Sequence, residues 1–155
     1  MGRFGDGASE NRGLKAPFRG GCSCGAVRFE CRSAPLSMVN CHCRDCQLAG
    51  GSAYAPTVIV RRKALNIVSG QTQRFEKVAE SGNSAIREFC STCGSPLFAS
   101  SSAQPEHIGI RASALDDPAS YVPSANVWVK SAQPWDCLED DLPRFEKSRR
   151  DLADE

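Results

Sequence analysis

Residues 41–47 read CHCRDCQ, which crowds three cysteines, Cys41, Cys43 and Cys46, into one short stretch. Two pairs flank it: Cys22 and Cys24 in GGCSCGAVRF, and Cys90 and Cys93 in EFCSTCGSPLF. A tetrahedral metal takes four ligands. The two outer pairs make four thiols, so the middle cluster is left with three. Each outer pair is followed by glycine, which tolerates the left-handed turn that a metal knuckle needs. Cys22, Cys24, Cys90 and Cys93 are therefore expected to hold a structural zinc. That site closes a long loop, and its metal-binding free energy becomes folding free energy. Iron is the rival metal, since four sulfurs suit both; buried thiols or disulfides are the plainer alternative.

Three protein ligands and an open fourth position are the pattern of a reactive zinc. His42 alternates with Cys41 and Cys43 in an extended segment and should face away from them, packed or hydrogen-bonded to the backbone. Cys31 is another possible fourth ligand, but its place on an apolar strand face reads as core. Cys137 is read as a buried thiol. Three thiolates make a dication electron-rich and a weak Lewis acid. Such a centre should generate hydroxide poorly and accept a further soft sulfur ligand well. A thiol that coordinates there loses its proton. The chemistry that this ligand set suggests is capture of an external thiol as thiolate.

The rest of the composition narrows the class. The 155 residues carry 41% apolar and 24% charged side chains, as an ordinary globular domain does. The 19 basic and 18 acidic residues leave a formal charge of +1, without the basic footprint of a nucleic-acid binder. No apolar run is long enough to predict a membrane span. The opening MGRFGDGASENRG lacks the apolar segment of a signal peptide, and Asp6 stands where a myristoylation motif wants Ser or Thr. The expectation is a cytoplasmic protein with no nucleic-acid or membrane partner. Nine cysteines in that setting, seven of them clustered, favour thiolates and metal over disulfides.

Along the chain, residues 1–18 read as a flexible leader, 19–148 as one domain, and 149–155 as a charged tail. Val27, Phe29 and Cys31 alternate with Arg28 and Glu30, the mark of a half-buried strand. Thr57 to Val60 is a β-branched run suited to burial. Leu65 with Ile67 and Ile108 with Ile110 alternate, and residues 72–79 and 84–89 flank a hairpin turn at ESGN. ANVWV is expected to set Val127 and Val129 on one face and Asn126 and Trp128 on the other. One short helix is predicted from Arg44 to Ala49, stopped by Gly50 and Gly51. The fold class is mainly β: small antiparallel sheets around metal knuckles, with one short helix.

The motifs G-x-C-x-C-G-x-V-R-F, CHCRDCQ, F-C-x-x-C-G-S-P-L-F, LDDP at Leu115–Pro118, V-W-V-K-S-x-x-P-W and L-P-R-F follow in order. Together they resemble the glutathione-dependent formaldehyde-activating enzyme (GFA) family, with its centromere protein V/GFA-type domain, across roughly residues 15 to 148. The resemblance implies a β-tent fold and two Zn²⁺. One is structural, on Cys22, Cys24, Cys90 and Cys93; the other is catalytic, on Cys41, Cys43 and Cys46. It implies a carbon–sulfur lyase that joins glutathione to formaldehyde, giving S-hydroxymethylglutathione. Arg44, Gln47 and Asn126 are candidate substrate contacts. Two positions depart from the family pattern: Leu48, where relatives often carry Arg or Lys, and Asn126, where they often carry His. Arg44, Arg61, Arg62 and Lys130 are cations that could replace the missing one, although each also reads as a solvated surface charge. LDDP reads as a turn rather than as paired catalytic carboxylates. Trp128 and Trp135 are expected to pack near a rim or line a pocket. The alternative reading is a non-enzymatic zinc-binding recognition module, or a redox or zinc sensor, on the same fold.

Overall fold

The computed structural model describes residues 13–149. Within them the strands are β1 (Phe18–Gly21), β2 (Arg28–Cys31), β3 (Ser37–Cys41), β4 (Ala55–Arg61), β5 (Leu65–Ser69), β6 (Thr72–Val78), β7 (Ser84–Cys90), β8 (Pro96–Ser101), β9 (His107–Arg111) and β10 (Ala125–Val127). The one α-helix, α1 (Arg44–Gly50), follows β3 and ends on Gly51 at φ 65°, where a residue with a side chain would be strained. The mainly β class and the single short helix match the expectation. Of the leader, residues 1–12 lie outside the described residues, and Phe18 is already buried in β1. Of the tail, residues 150–155 lie outside them.

The strands form two sheets, β1-β2-β5 and β10-β3-β4-β9-β8-β7-β6. Strand alternation gives the larger sheet two different faces. Val58 opposite Ile110, and Val60 opposite Ile108, point inward and are fully or almost fully buried. They meet Phe29 and Cys31 from the smaller sheet, and Val27 just before β2, in one core. Phe29 stands edge-on to Phe98 with ring centroids 5.3 Å apart. Cys31 is fully buried there, so it is core. The opposite face carries Val39, Cys41, Thr57, Ile59, Gly109 and Arg111. Gly109 belongs on it because a Cβ would come within 2.5 Å of the Thr57 methyl.

Three details depart from the sequence pattern. Ile67 is 41% exposed, because β5 is an edge strand and only Leu65 of the alternating pair packs against the core. β10 does not alternate: Ala125, Asn126 and Val127 are all buried. It runs parallel to β3 on one side, and residues 143–147 cover the other, with Asn126 N–H donating to Pro143 O and Phe145 N–H to Asn126 O, both at 2.9 Å. The strand stops at Trp128, whose left-handed backbone (φ 58°) turns the chain into a short 3-10 turn, Val129–Ser131. Cys137 is exposed rather than buried, because it lies in an irregular segment beyond the sheets. LDDP is a turn, as expected. Asp116 accepts from both terminal nitrogens of Arg28, and Pro118–Ser120 forms a 3-10 turn.

Phe29 ties the two sheets together, so truncating it leaves a cavity at their junction. Phe29→Ala is expected to cost about 3–5 kcal/mol, read as a fall in the urea midpoint at unchanged slope. A loss below about 1 kcal/mol would contradict this packing.

Candidate metal centre

The outer cysteines come from two turns. Cys22 and Cys24 lie between β1 and β2, while Cys90 ends β7 and Cys93 precedes β8. Their four sulfurs lie within 4.8 Å of one another, although the two pairs are far apart in sequence. Gly25 and Gly94 take φ 80° and 76°, the left-handed turns that the sequence led us to expect after each pair. Backbone N–H groups point at sulfur: Val27 to Cys22 at 3.2 Å, and Thr92 and Cys93 to Cys90 at 3.4 and 3.5 Å. Donors aimed at sulfur favour thiolate over thiol.

The middle cluster is built by the β3–α1 junction. Cys41 is the last residue of β3. Cys43 is the N-cap of α1, and its sulfur accepts from Cys46 N–H at 3.3 Å. The sulfurs of Cys41, Cys43 and Cys46 again lie within 4.8 Å of one another. No His, Asp or Glu joins either group among the described residues.

Both clusters fit a soft dication. Without one, their thiols cannot all ionise together. Hydrogen bonds from Ser95 bring Cys93 down to about 5. Cys24 is pushed up to about 11, the Ala26 amide pulling down while neighbouring Cys22 and burial push up. In the middle cluster, hydrogen bonds from Cys41 and Cys43, then the charges of Arg111 and Arg87, hold Cys46 well below the usual thiol range. Cys43 and Cys46 in turn push Cys41 well above it. A metal ion removes this conflict by neutralising several thiolates at once. Sulfur-only donor sets of this size suit zinc.

His42 lies between two of these cysteines and points away from them, as expected. Its partners, however, are side chains. It is 1% exposed, with Nε2 2.9 Å from Asn126 Oδ1 and Nδ1 3.1 Å from Asp136 Oδ2, the latter without hydrogen-bond alignment. Asn126 is thus turned toward His42. Gln47 is likewise buried: its Nε2 donates to His42 O and Ser131 O, and its Oε1 accepts from Arg44 and Gln133. Arg44 is exposed beside it. Arg62 bonds Pro105 O, and Lys130 sits 5.6 Å over the Trp128 ring. Arg44, Gln47, Asn126, Arg61, Arg62 and Lys130 all lie off the cavity wall, whereas Trp128 lines it. Trp135 is 67% exposed.

That cavity, of about 500 Å³, opens on all three middle cysteines. Its floor is the outer face of the large sheet, and its wall includes Ser101, Asn83 and Glu80 from β8 and the β6–β7 hairpin. Two cations beside the middle cysteines are ones that sequence reading missed. Arg111 is buried (4% exposed), and its Nη1 donates to Thr57 Oγ1 at 3.0 Å and lies 4.0 Å from the Cys46 sulfur. Arg87 Nη2 lies 3.8 Å from the same sulfur. A usable signal was present. Arg111 follows Ile108 and Ile110 in strand alternation, so it had to face opposite to the core.

A four-thiol group and a three-thiol group on a two-sheet β scaffold could each hold a metal ion, and the three-thiol group opens on a cavity. The chain belongs to the family described as glutathione-dependent formaldehyde-activating enzyme, whose family model matches residues 17–131. A protein of Halomonas elongata named "Putative glutathione-dependent formaldehyde-activating enzyme" is 33% identical over 103 residues, which span 64% of this chain and 66% of that protein, just under two thirds. A crystal structure of a Rhodobacter sphaeroides protein shares the fold. Its TM-score is 0.53 at 23% identity, over 81% of this chain and 98% of that one. Among the described residues no helix is long and apolar enough to cross a membrane.

Metal displaces protons from these thiols, so affinity must fall as pH falls. Zinc-loaded protein, titrated against a chromophoric chelator from about pH 8 to about pH 5, is expected to lose affinity by at least about tenfold per pH unit. A flat profile would contradict thiolate ligation.

Proposed function

We propose that this chain is a zinc-dependent carbon–sulfur lyase that joins glutathione to formaldehyde, giving S-hydroxymethylglutathione, and that also runs the reverse reaction. In this reading Cys22, Cys24, Cys90 and Cys93 hold a structural zinc, and Cys41, Cys43 and Cys46 hold a catalytic one. The observation that carries the reading is the open three-thiol cluster on a cavity of about 500 Å³ whose wall sets hydroxyl, amide and charged side chains among apolar ones. A scaffold alone would need only the closed four-thiol group.

Bound at the middle cluster, Zn²⁺ would supply positive charge that lowers the pKa of an incoming thiol and stabilises it as thiolate. The protein's own residues do the rest. Arg87 and Arg111, beside Cys46, add two positive charges that favour an anionic sulfur and an oxygen that gains charge. The hydroxyl and amide groups of the wall suit a small peptide-like thiol. Gln47 and Asn126 grip His42 from either side and so fix the segment carrying Cys41 and Cys43. The thiol sulfur attacks the carbonyl carbon, the C–S bond forms as the carbonyl π bond breaks, and the thiol proton ends on oxygen. Holding the two reactants together supplies much of the gain. Nine free thiols suit a reducing compartment, and we assign the protein to the cytoplasm.

The test is the absorption spectrum of the cobalt-substituted protein. Glutathione is expected to raise thiolate-to-cobalt charge transfer by one sulfur per chain, with the tetrahedral d–d bands retained. A spectrum indifferent to glutathione would overturn the reading. Cys43→Ser is expected to lower bound metal from both clusters to the outer cluster alone and to abolish the glutathione response, with the fold intact by circular dichroism.

A further inference from the structure

A second cavity, of about 640 Å³, lies between α1 and the β6–β7 hairpin. It is mostly apolar, lined by Leu48 and Ala49 from α1, Phe75 from β6, Phe89 from β7 and Pro96 from β8. Leu48 and Phe75 stand on its rim 60% and 56% exposed, with no covering element among the described residues. It adjoins the thiol-lined cavity, and Asp45, Ala85, Arg87 and Arg111 line both.

The shared wall is where a reacting carbonyl would sit. Arg87 Nε and Arg111 Nη2 are buried there without an acceptor among the described residues. An unpaired buried donor is costly, and an oxygen gaining negative charge relieves that cost. The charges also limit the ligand. Asp45 is neutralised by Lys77 at 2.9 Å, but Glu88 adds a carboxylate to the apolar cleft. Lys77, Arg87 and Arg111 stand against Asp45 and Glu88, so the charged groups of the lining nearly balance, and the remaining apolar wall suits a neutral apolar substituent.

We propose that the cleft receives the substituent of the aldehyde, and that the preferred second substrate is an aldehyde bearing a neutral apolar group, such as a medium alkyl chain or a phenyl ring. This rests on the thiol–aldehyde reading above and extends it, because formaldehyde has no substituent to place there. A cleft of this volume is of the size that binds small organic ligands. The thiol lies in the cavity that opens on Cys41, Cys43 and Cys46, the apolar arm lies between α1 and the hairpin, and the carbonyl oxygen meets the arginines between them. The thiol S–H adds across C=O. The C–S bond forms, the π electrons move to oxygen, and the thiol proton follows them, so no other reactant is consumed.

The test uses zinc-loaded full-length protein. S-hexylglutathione stands in for the adduct and S-methylglutathione for its shortened form, both measured by titration calorimetry. S-hexylglutathione is expected to bind at least about tenfold tighter, a small part of what five buried methylenes can give. Exchange NMR should show hexanal addition to glutathione accelerated over the spontaneous rate at least as much as formaldehyde addition. In the exposed-rim double variant Leu48→Lys, Phe75→Ser, the affinity advantage and the hexanal-to-formaldehyde kcat/KM ratio should each fall about tenfold. If formaldehyde addition is accelerated but hexanal is not, and the two S-alkyl compounds bind alike, this proposal is overturned and the lyase reading stands. A double variant that changes neither ratio overturns it in the same way. A dimer dispersed by those substitutions, with the two compounds binding alike, would replace it with a self-association face. If neither aldehyde is accelerated, the lyase reading fails and this proposal falls with it.

Discussion

Ile110 and Arg111 are neighbours in β9 and point to opposite faces of the seven-stranded sheet. That alternation governs the site. Ile110 faces Phe98 and the core, while Arg111 faces Cys46 and the cavity. Thr57 and Arg87 take their places by the same parity on β4 and β7. A slip of one residue would put Arg111 into the apolar core and Ile110 beside the thiols, so register is strongly specified. The core is thus more than a source of stability. By fixing which residues point inward, it decides which are left to line the cavity.

The two thiol groups do different physical work on this frame. The outer four sulfurs join the β1–β2 turn to the β7–β8 turn, with Cys24 and Cys90 sulfurs 3.8 Å apart. They bind parts of the chain that no strand pairing connects. The middle three belong to a single local feature, the end of β3 and the first turn of α1, where Cys43 is both a member of the thiol group and the helix cap. A cap formed by sulfur couples the start of the helix to the state of the thiols. The buried His42, held by Asn126 and facing Asp136, stiffens the same segment from behind.

Much of this was legible in the sequence because it is local. Cysteine spacing, the glycines after each outer pair, the Gly50-Gly51 helix stop, the ESGN hairpin and the strand alternation each depend on a few adjacent residues. The legible features stop where distant segments meet. Arg87 and Arg111 carry no motif, and only the order β4-β9-β8-β7 brings them near Cys46. Asp136 meets His42 across most of the chain, in a segment without regular structure. Asn126 reads as a substrate contact from the family resemblance, at a position where relatives often carry His, and that resemblance says nothing of which partner its side chain meets. The segment from Pro143 onward covers the edge of its strand, and the Asn126 side chain meets His42. Cys137 read as buried on the strength of its residue type, and the segment around it offers no core to enter.

That covering segment has a consequence for how the domain is delimited. The family match ends at residue 131, yet residues 143–147 hydrogen-bond along β10 beyond that boundary. A chain cut at residue 131 would keep all seven clustered cysteines and lose that cover. β10 would become a bare edge three residues long, with the amide and carbonyl of Asn126 free to pair with the same strand of a neighbour. The piece that looks complete by its motifs would be sticky, and the few residues that carry no motif are what keep the edge of the sheet closed.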